Sequence, residues 1–372
     1  MNKIKTVLTA DWHFGHRRVP TYDIVSDIRK FFLPELDGTV DLLVIAGDIF
    51  DCRISFNDNS ASLIIDLFVD IFTLCYEHSI IIRIVRGTYS HDILQNAVID
   101  KLYKKMGIPV DYRLVNNMSV ELMDKLGISL LYMPDNLPYN TKNEALETAK
   151  MMLTANDLKR VDYVVIHGEF EHMNYGHINN NAYSVADFNT ICNGLILAGH
   201  IHKPHRHKNV IYAGSITRLA HNEEEAKGFW VINDAKSRFI ENKAATKFIT
   251  VDYRNDTEFD VILIKHIELC NTFDKDRIGF LRLIITDTNL RQAIAGYHNA
   301  NYPNIKLSFK RVMKNDAIDS KFLSDKLKQT TTEVLTVPSL KNIALIVCEH
   351  TMTTYGVAMD ITAVESIING GM

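Results

Sequence analysis

Five short apolar runs in this 372-residue chain each hand over to histidine or aspartate. IKTVLTA ends in Asp11-Trp12-His13, DLLVIAG ends in Asp48 with Asp51 three residues on, and SIIIRIVRG leads to His91-Asp92. YVVI ends in His167, and GLILAG in His200-Ile201-His202. Imidazole and carboxylate together are ligands for Mn, Fe or Zn, and with no thiolate beside them they do not suit a structural zinc site. Two such ions held about 3.5–4 Å apart orient and activate a water while stabilising phosphate oxygens and the leaving oxygen. A pair of ions needs a bridging carboxylate, and Asp48, on the central strand, is the natural one. Any one of these tripeptides is weak, because Asp also suits turns and helix caps. The ordered set carries the argument.

Those residues must be held by the elements that precede them. IKTVLTA, DLLVIAGD, SIIIRIVRG, ISLLYM, YVVIHG, GLILAGH and NVIYAGS are apolar without helical period and bounded by Gly, Asp or Asn, so they read as buried strands. SASLIIDLFVDIFTLCYEH has apolar residues at helical spacing and opens on serines that suit an N-cap, and NEALETAKMMLTAN reads as a further helix. Strands alternating with helices predict an α/β domain, with functional groups just beyond the carboxyl ends of its strands.

The pattern runs to about residue 235, after GFWVIND, and KSRFIENKAATKF then reads as a polar linker. KFITVDY, GFLRLIITD, a helix over NLRQAIAGYHNA and the strand NIKLSFKRV make a small second α/β unit. SLKNIALIVCEH and DITAVESIING read as two short helices. The expected organisation is therefore 1–235, 246–335 and 336–372.

Bulk composition sets limits. Hydrophobic content of 47% and charged content of 23% describe a soluble globular protein, and 41 Lys and Arg against 45 Asp and Glu leave a net charge of -4. No global positive field draws the chain to nucleic acid, so any such contact comes from local patches. Five scattered cysteines, odd in number and never in a CxxC pair, argue for free thiols in a reducing compartment. No signal core and no run long enough to cross a bilayer is read, so the expectation is a cytoplasmic protein without membrane contact.

The motif set DWH at 11–13, GDIFD at 47–51, IHG at 166–168 and GHIH at 199–202 resembles that of calcineurin-like metallophosphoesterases. Within them the chain most resembles the SbcD-type nucleases of DNA repair and recombination (meiotic recombination protein eleven-like), including bacteriophage relatives. YAGSITRLAHNEEEAKGFWVI carries that finer likeness. The resemblance covers residues 1 to about 235. It implies an α/β sandwich of two β-sheets flanked by helices, a small α+β capping domain and C-terminal helices. It implies two Mn2+, with Mg2+ as the other candidate: one held by Asp11, His13 and His202, the other by His167 and His200, and Asp48 bridging. It implies that His91 faces the scissile phosphate and that Asp51 orients His91 through a hydrogen bond. The family's GNHD asparagine, a ligand to the second ion, has no counterpart in Gly87-Thr88-Tyr89-Ser90-His91-Asp92. Counting back from His91 puts Ser90 in its place; counting forward from Gly87 puts Thr88 there.

Basic residues beside the motifs, Arg17, Arg18, Lys203 and Arg206, could form a positive rim for phosphates, or only a solvated loop. Trp12 and Trp230 read as packing residues. The resemblance further implies a homodimer and docking of the C-terminal helices on an SbcC-like ATPase of the SMC family. The activity expected is Mn-dependent exonuclease and endonuclease hydrolysis of DNA. The alternatives are a phosphatase or phosphodiesterase for small substrates on the same core, and a non-catalytic DNA-end or ATPase-binding subunit with a degenerate site.

Overall fold

The structure is a computed structural model that describes residues 4–310, apart from 56–57, 93–94, 136–140, 174–181, 234–235 and 257. The helices expected over 336–372, and the part of the second unit beyond residue 310, lie outside the described residues.

β1 (Lys5–Thr9), β2 (Leu42–Ala46), β3 (Ile81–Val85), β4 (Tyr112–Val115), β11 (Gly228–Asn233) and β12 (Lys236–Glu241) form one sheet, in the order β12-β11-β1-β2-β3-β4. β1 to β4 pair in parallel, and the β11–β12 hairpin joins β1 antiparallel. A second sheet has the order β5-β6-β7-β8-β10-β9. Its strands are β5 (Ser119–Met123), β6 (Ile128–Met133), β7 (Val161–His167), β8 (Cys192–Gly199), β9 (His205–His207) and β10 (Val210–Tyr212). β6, β7, β8 and β10 run parallel in it. The helices are α1 (Thr21–Asp27), α2 (Asn59–Glu77), α3 (Tyr89–Asp92), α4 (Asn96–Met106), α5 (Lys142–Ala155), α6 (Val185–Phe188), α7 (Phe259–Cys270) and α8 (Thr288–Asn301).

The two-residue period of strands assembles the layers. On β2, Leu42, Val44 and Ala46 face the second sheet, where Leu130, Tyr132, Val165 and Leu197 meet them. The intervening Leu43 and Ile45 face outward to Ile24 of α1 and to Leu67, Phe68 and Ile71 of α2. On the second sheet Val164, Ile166, Ile196 and Ala198 point the other way, onto Ala149 and Leu153 of α5. The result is a mixed α/β protein, two parallel-rich sheets face to face with helices outside. Strands buried on both faces read as continuous apolar runs, which is why the sequence shows them so clearly.

Three expectations need correction. KSRFIENKAATKF is no linker: Lys236–Glu241 is β12, an edge strand whose alternating exposure made it look polar. Asp58, not a serine, caps α2 by accepting from Ser60 N. α2 is also, by length and composition, long and apolar enough to cross a membrane, with 19 residues and a mean hydropathy of 1.4. Its buried residues, including Leu67, Phe68, Ile71 and Phe72, lie in the core.

A third sheet of parallel strands, β13 (Phe248–Asp252), β14 (Gly279–Ile284) and β15 (Ile305–Phe309), is crossed by α7 and α8 and has its own apolar core. It is joined to the sandwich by Phe248, which packs in the core under α1 and α2. The guanidinium of Arg277 adds a bond to Asp27 at 2.6 Å.

Candidate metal centre

Each residue singled out at a strand end lies where the parallel strands of the two facing sheets finish. Past its last β1 residue the chain stays paired to the loop after β2: Asp11 N donates to Gly47 O and His13 N to Asp48 O. That pairing bends the backbone into the left-handed region at Asp11 (φ 53°), His13 (φ 51°) and Asp48 (φ 49°), and His200 (φ 88°) lies there too. Such a conformation costs an L-residue roughly 1–2 kcal/mol, and it persists only where surrounding structure enforces it. The enforcing contacts are close ones. A Cβ at Gly47 would collide with His167 Nδ1, one at Gly87 with Asp48, and one at Gly199 with Ala46 O. Glycine at these three positions lets the strand ends approach until their neighbours' side chains converge.

Three groups of donors result, one of them His13, Asp51 and His91, which shares His13 with the first of the other two. Asp11, His13 and His202 bring ligand atoms within 4.8 Å of one another, and so do Asp48, His167 and His200. Asp48 stands between the groups, with its Oδ2 3.3 Å from His167 Nε2 and 3.9 Å from His13 Nε2.

The hydrogen bonds on the far side of each imidazole decide what faces inward. His13 Nδ1 is 3.1 Å from Asp51 Oδ1, and His202 Nδ1 is 2.9 Å from Glu223 Oε1. A carboxylate only accepts, so both Nδ1 atoms carry a proton and both Nε2 atoms are the ones turned inward. Those Nε2 atoms are 3.0 Å apart, a contact that two neutral rings so protonated would find repulsive and that a shared cation relieves. His167 repeats the outer bond: its Nδ1 donates to Ala46 O at 2.7 Å, so Nε2 is the nitrogen that faces Asp48 and the hydroxyl of Thr88. Imidazole nitrogens and carboxylate oxygens turned inward at this spacing fit a cation, and the donor types suit Mn, Zn or Fe.

Electrostatics agree. Burial would lower the pKa of His167, yet the charges of Asp48 and Asp11 outweigh it and push the value up, so the pocket favours positive charge where His167 stands. Burial would raise Glu223, but the bond from His202 and the ammonium of Lys227 hold it down at about 2. Glu223 is therefore an anion, and Lys227 Nζ, itself buried, fixes it at 2.9 Å while donating to His202 O at 2.8 Å.

The departing loop is now placed. Thr88 N donates to Asp48 Oδ1 at 2.6 Å, and Thr88 Oγ1 lies 3.3 Å from both Asp48 Oδ2 and His167 Nε2. Ser90, the residue expected to stand in for the missing asparagine, is instead exposed on α3. Counting back failed because Tyr89–Asp92 coils into a helical turn, which turns Ser90 outward while Gly87 stays fixed. Asp92, fully buried, holds the loop by accepting from Gly87 N at 2.7 Å and from Phe50 N at 3.2 Å.

The role expected of Asp51 also changes. Its carboxylate orients His13, and its nearest oxygen is 3.9 Å from His91 Nδ1. It is the Asp51 carbonyl that accepts from His91 Nδ1, at 3.0 Å. His91 stands edge-on to His13, ring centroids 4.9 Å apart, and remains partly exposed.

Of the basic residues, Arg17 and Lys203 are exposed and Arg18 is half-buried. Arg206 reaches across to Ser237 Oγ at 2.6 Å. Trp12 and Trp230 pack: Trp12 is fully buried against Phe14 and Phe32, and Trp230 Nε1 donates to Tyr212 O at 2.9 Å. Sequence reasoning missed Glu223, Lys227 and Asp92 as braces. Their signal was there in part, since HNEEEAKGF was already singled out, but nothing in a sequence says which of three glutamates meets His202.

Comparisons with known proteins add little to this geometry. No protein-family model and no curated protein matches the chain. Twenty-two solved chains match. One crystal structure aligns with 64% of this chain and 100% of its own, at 13% identity and a TM-score of 0.37, a likeness too slight to carry any argument.

Proposed function

We propose that this chain is a metal-dependent phosphodiesterase of the calcineurin-like type acting on DNA, an SbcD-like nuclease subunit. The observation that carries the reading is the set of three imidazoles whose outer nitrogens are tied down and whose inner nitrogens converge with Asp11 and Asp48. Asp11, His13 and His202 would hold one ion, and His167, His200 and the Thr88 hydroxyl the other, with Asp48 between them. Two bound ions, Mn2+ in this reading with Mg2+ as the alternative, would supply Lewis acidity for a phosphate and an activated water.

The chain's own residues do the rest. Asp51 and Glu223 keep His13 and His202 in one tautomer and one orientation. Donation from His91 Nδ1 to the Asp51 carbonyl leaves His91 Nε2 as the atom that exchanges a proton with the leaving oxygen. Exposed Arg17 and Lys203, on the loops that carry His13 and His202, supply charge for flanking phosphates. Dimerisation and docking on an SMC-like ATPase belong to the same proposal and rest on the sequence resemblance.

The test is degradation of end-labelled duplex DNA with Mn2+ or Mg2+, beside hydrolysis of a nitrophenyl phosphodiester. We expect both substrates to be cut. Asp48→Asn should reduce both rates by more than about 100-fold with the circular dichroism spectrum unchanged. His91→Ala should cost about 10²–10⁴-fold while metal content stays the same. Cleavage of the small ester with DNA left intact would replace the reading by a small-substrate esterase. No turnover of either substrate, with metal bound, would leave a binding subunit.

A further inference from the structure

A separate set of metal-ligating atoms lies in the three-stranded unit, on helices instead of strand ends. His266 and Cys270 are four residues apart on α7, hence on one face, and His298 meets them from α8. All three are buried, at 0%, 3% and 1% exposure. His266 Nε2 is 3.0 Å from His298 Nδ1, and Cys270 Sγ is 3.6 Å from the first and 3.9 Å from the second. Three donor atoms of three side chains thus face a common point. Zinc bond lengths of about 2.0–2.1 Å to nitrogen and 2.3 Å to sulfur in a tetrahedron place the nitrogens roughly 3.3 Å apart and each nitrogen roughly 3.6 Å from sulfur. The observed triangle has nearly those edges.

The tautomer of His298 is fixed from outside, since its Nε2 donates to Ile305 O at 2.8 Å, so its Nδ1 presents a lone pair to the group. The competing arrangement is a hydrogen bond from His266 Nε2 to that lone pair. It uses the one acceptor the Cys270 thiol also faces, and it sets three polar groups among Ile262, Leu281, Leu283 and Ile294. A cation that takes all three lone pairs ends that competition.

We propose that His266 Nε2, Cys270 Sγ and His298 Nδ1 bind a zinc ion that clamps α7 to α8. The thiol releases its proton to solvent as the sulfur–metal bond forms, and these three side chains supply the protein ligands. The ion serves stability, because a small three-stranded core gains from a fixed cross-link between its two helices. This site and the strand-end centre stand or fall independently.

Cobalt distinguishes them, because only a thiolate ligand gives an intense near-ultraviolet charge-transfer band and the strand-end donors include no sulfur. Full-length protein stripped with chelator and titrated with Co2+ should develop that band, its final amplitude that of one thiolate-bound Co2+ per chain once the strand-end sites are also filled. The band should vanish in Cys270→Ser and persist in Cys52→Ser and in Asp48→Asn. Its absence from the wild-type protein, or its survival in folded Cys270→Ser, overturns the proposal. Zinc K-edge absorption on the protein loaded until every site is filled needs no change at Cys270. A sulfur neighbour beside nitrogen and oxygen supports the site, and a shell of nitrogen and oxygen alone rejects it.

Discussion

The strand-end centre and the helical cluster of the small sheet both gather imidazoles, and they do it by opposite means. The first draws on residues 11 to 202, carries positive φ at Asp11, His13, Asp48 and His200, and depends on glycines whose missing Cβ lets backbones touch. The second spans residues 266 to 298, has no positive φ among its members, and uses only the four-residue repeat of one helix and the packing of another. Strained backbone marks where many chain segments must meet at a point. Ordinary helix geometry suffices where two helices already pack.

That contrast sets the largest expected effect. Gly199→Ala would drive a methyl into Ala46 O and crowd His167, so we expect a loss of about 3–5 kcal/mol and no metal retained at the strand ends. Gly296→Ala in α8, close in sequence to His298, meets nothing within 4 Å and should stabilise by up to about 1 kcal/mol, because alanine is the better helix former. Thermal melts with metal analysis measure both. Equal tolerance of the two substitutions would erase the distinction between the regions.

The difference also explains what could be read from the sequence. β1, β2, β3, β7 and β8 are apolar on both faces, so runs and the residues ending them stood out, and with them Asp11, His13, Asp48, His167, His200 and His202. β12 was lost because half of an edge strand is solvated. α7 was lost because FDVILIKHIELC is apolar nearly all round and offers no clear face. Thr88 could not be chosen over Ser90 by counting, since the choice depends on a helical turn that folds only against Asp51 and Asp48. Glu223 and Lys227 are partners in space only.

A smaller effect sharpens the account of the strand-end centre. Glu223→Gln keeps the shape but removes the charge that orients His202, and should weaken metal binding about 10–100-fold, recoverable at high Mn2+. Thr88→Val should cost about tenfold, towards the lower end of that range, whereas Ser90→Ala should change nothing. Mn2+ titrations of activity rank the three. If Ser90→Ala costs more than Thr88→Val, the placement of the loop is wrong.

The smallest effect concerns the seam between the two regions. His221 is 9% exposed, its ring centroid lies 5.2 Å from that of Phe248, and Thr250 Oγ1 of β13 is 3.4 Å from its Nδ1. Burial, with Arg282 and Arg18 nearby, pushes its pKa from 6.5 down to about 4. The unfolded imidazole therefore binds a proton near pH 6.5 and the folded one only near pH 4. Between those values the unfolded chain holds more protons, so stability falls as the pH is lowered. The full contribution is present above the window, and we expect about 1–2 kcal/mol to be lost across it. Urea unfolding at pH 7 and pH 4.5 should show a steeper acid loss for the wild type than for His221→Gln. Parallel losses would mean that His221 does not couple the seam to pH.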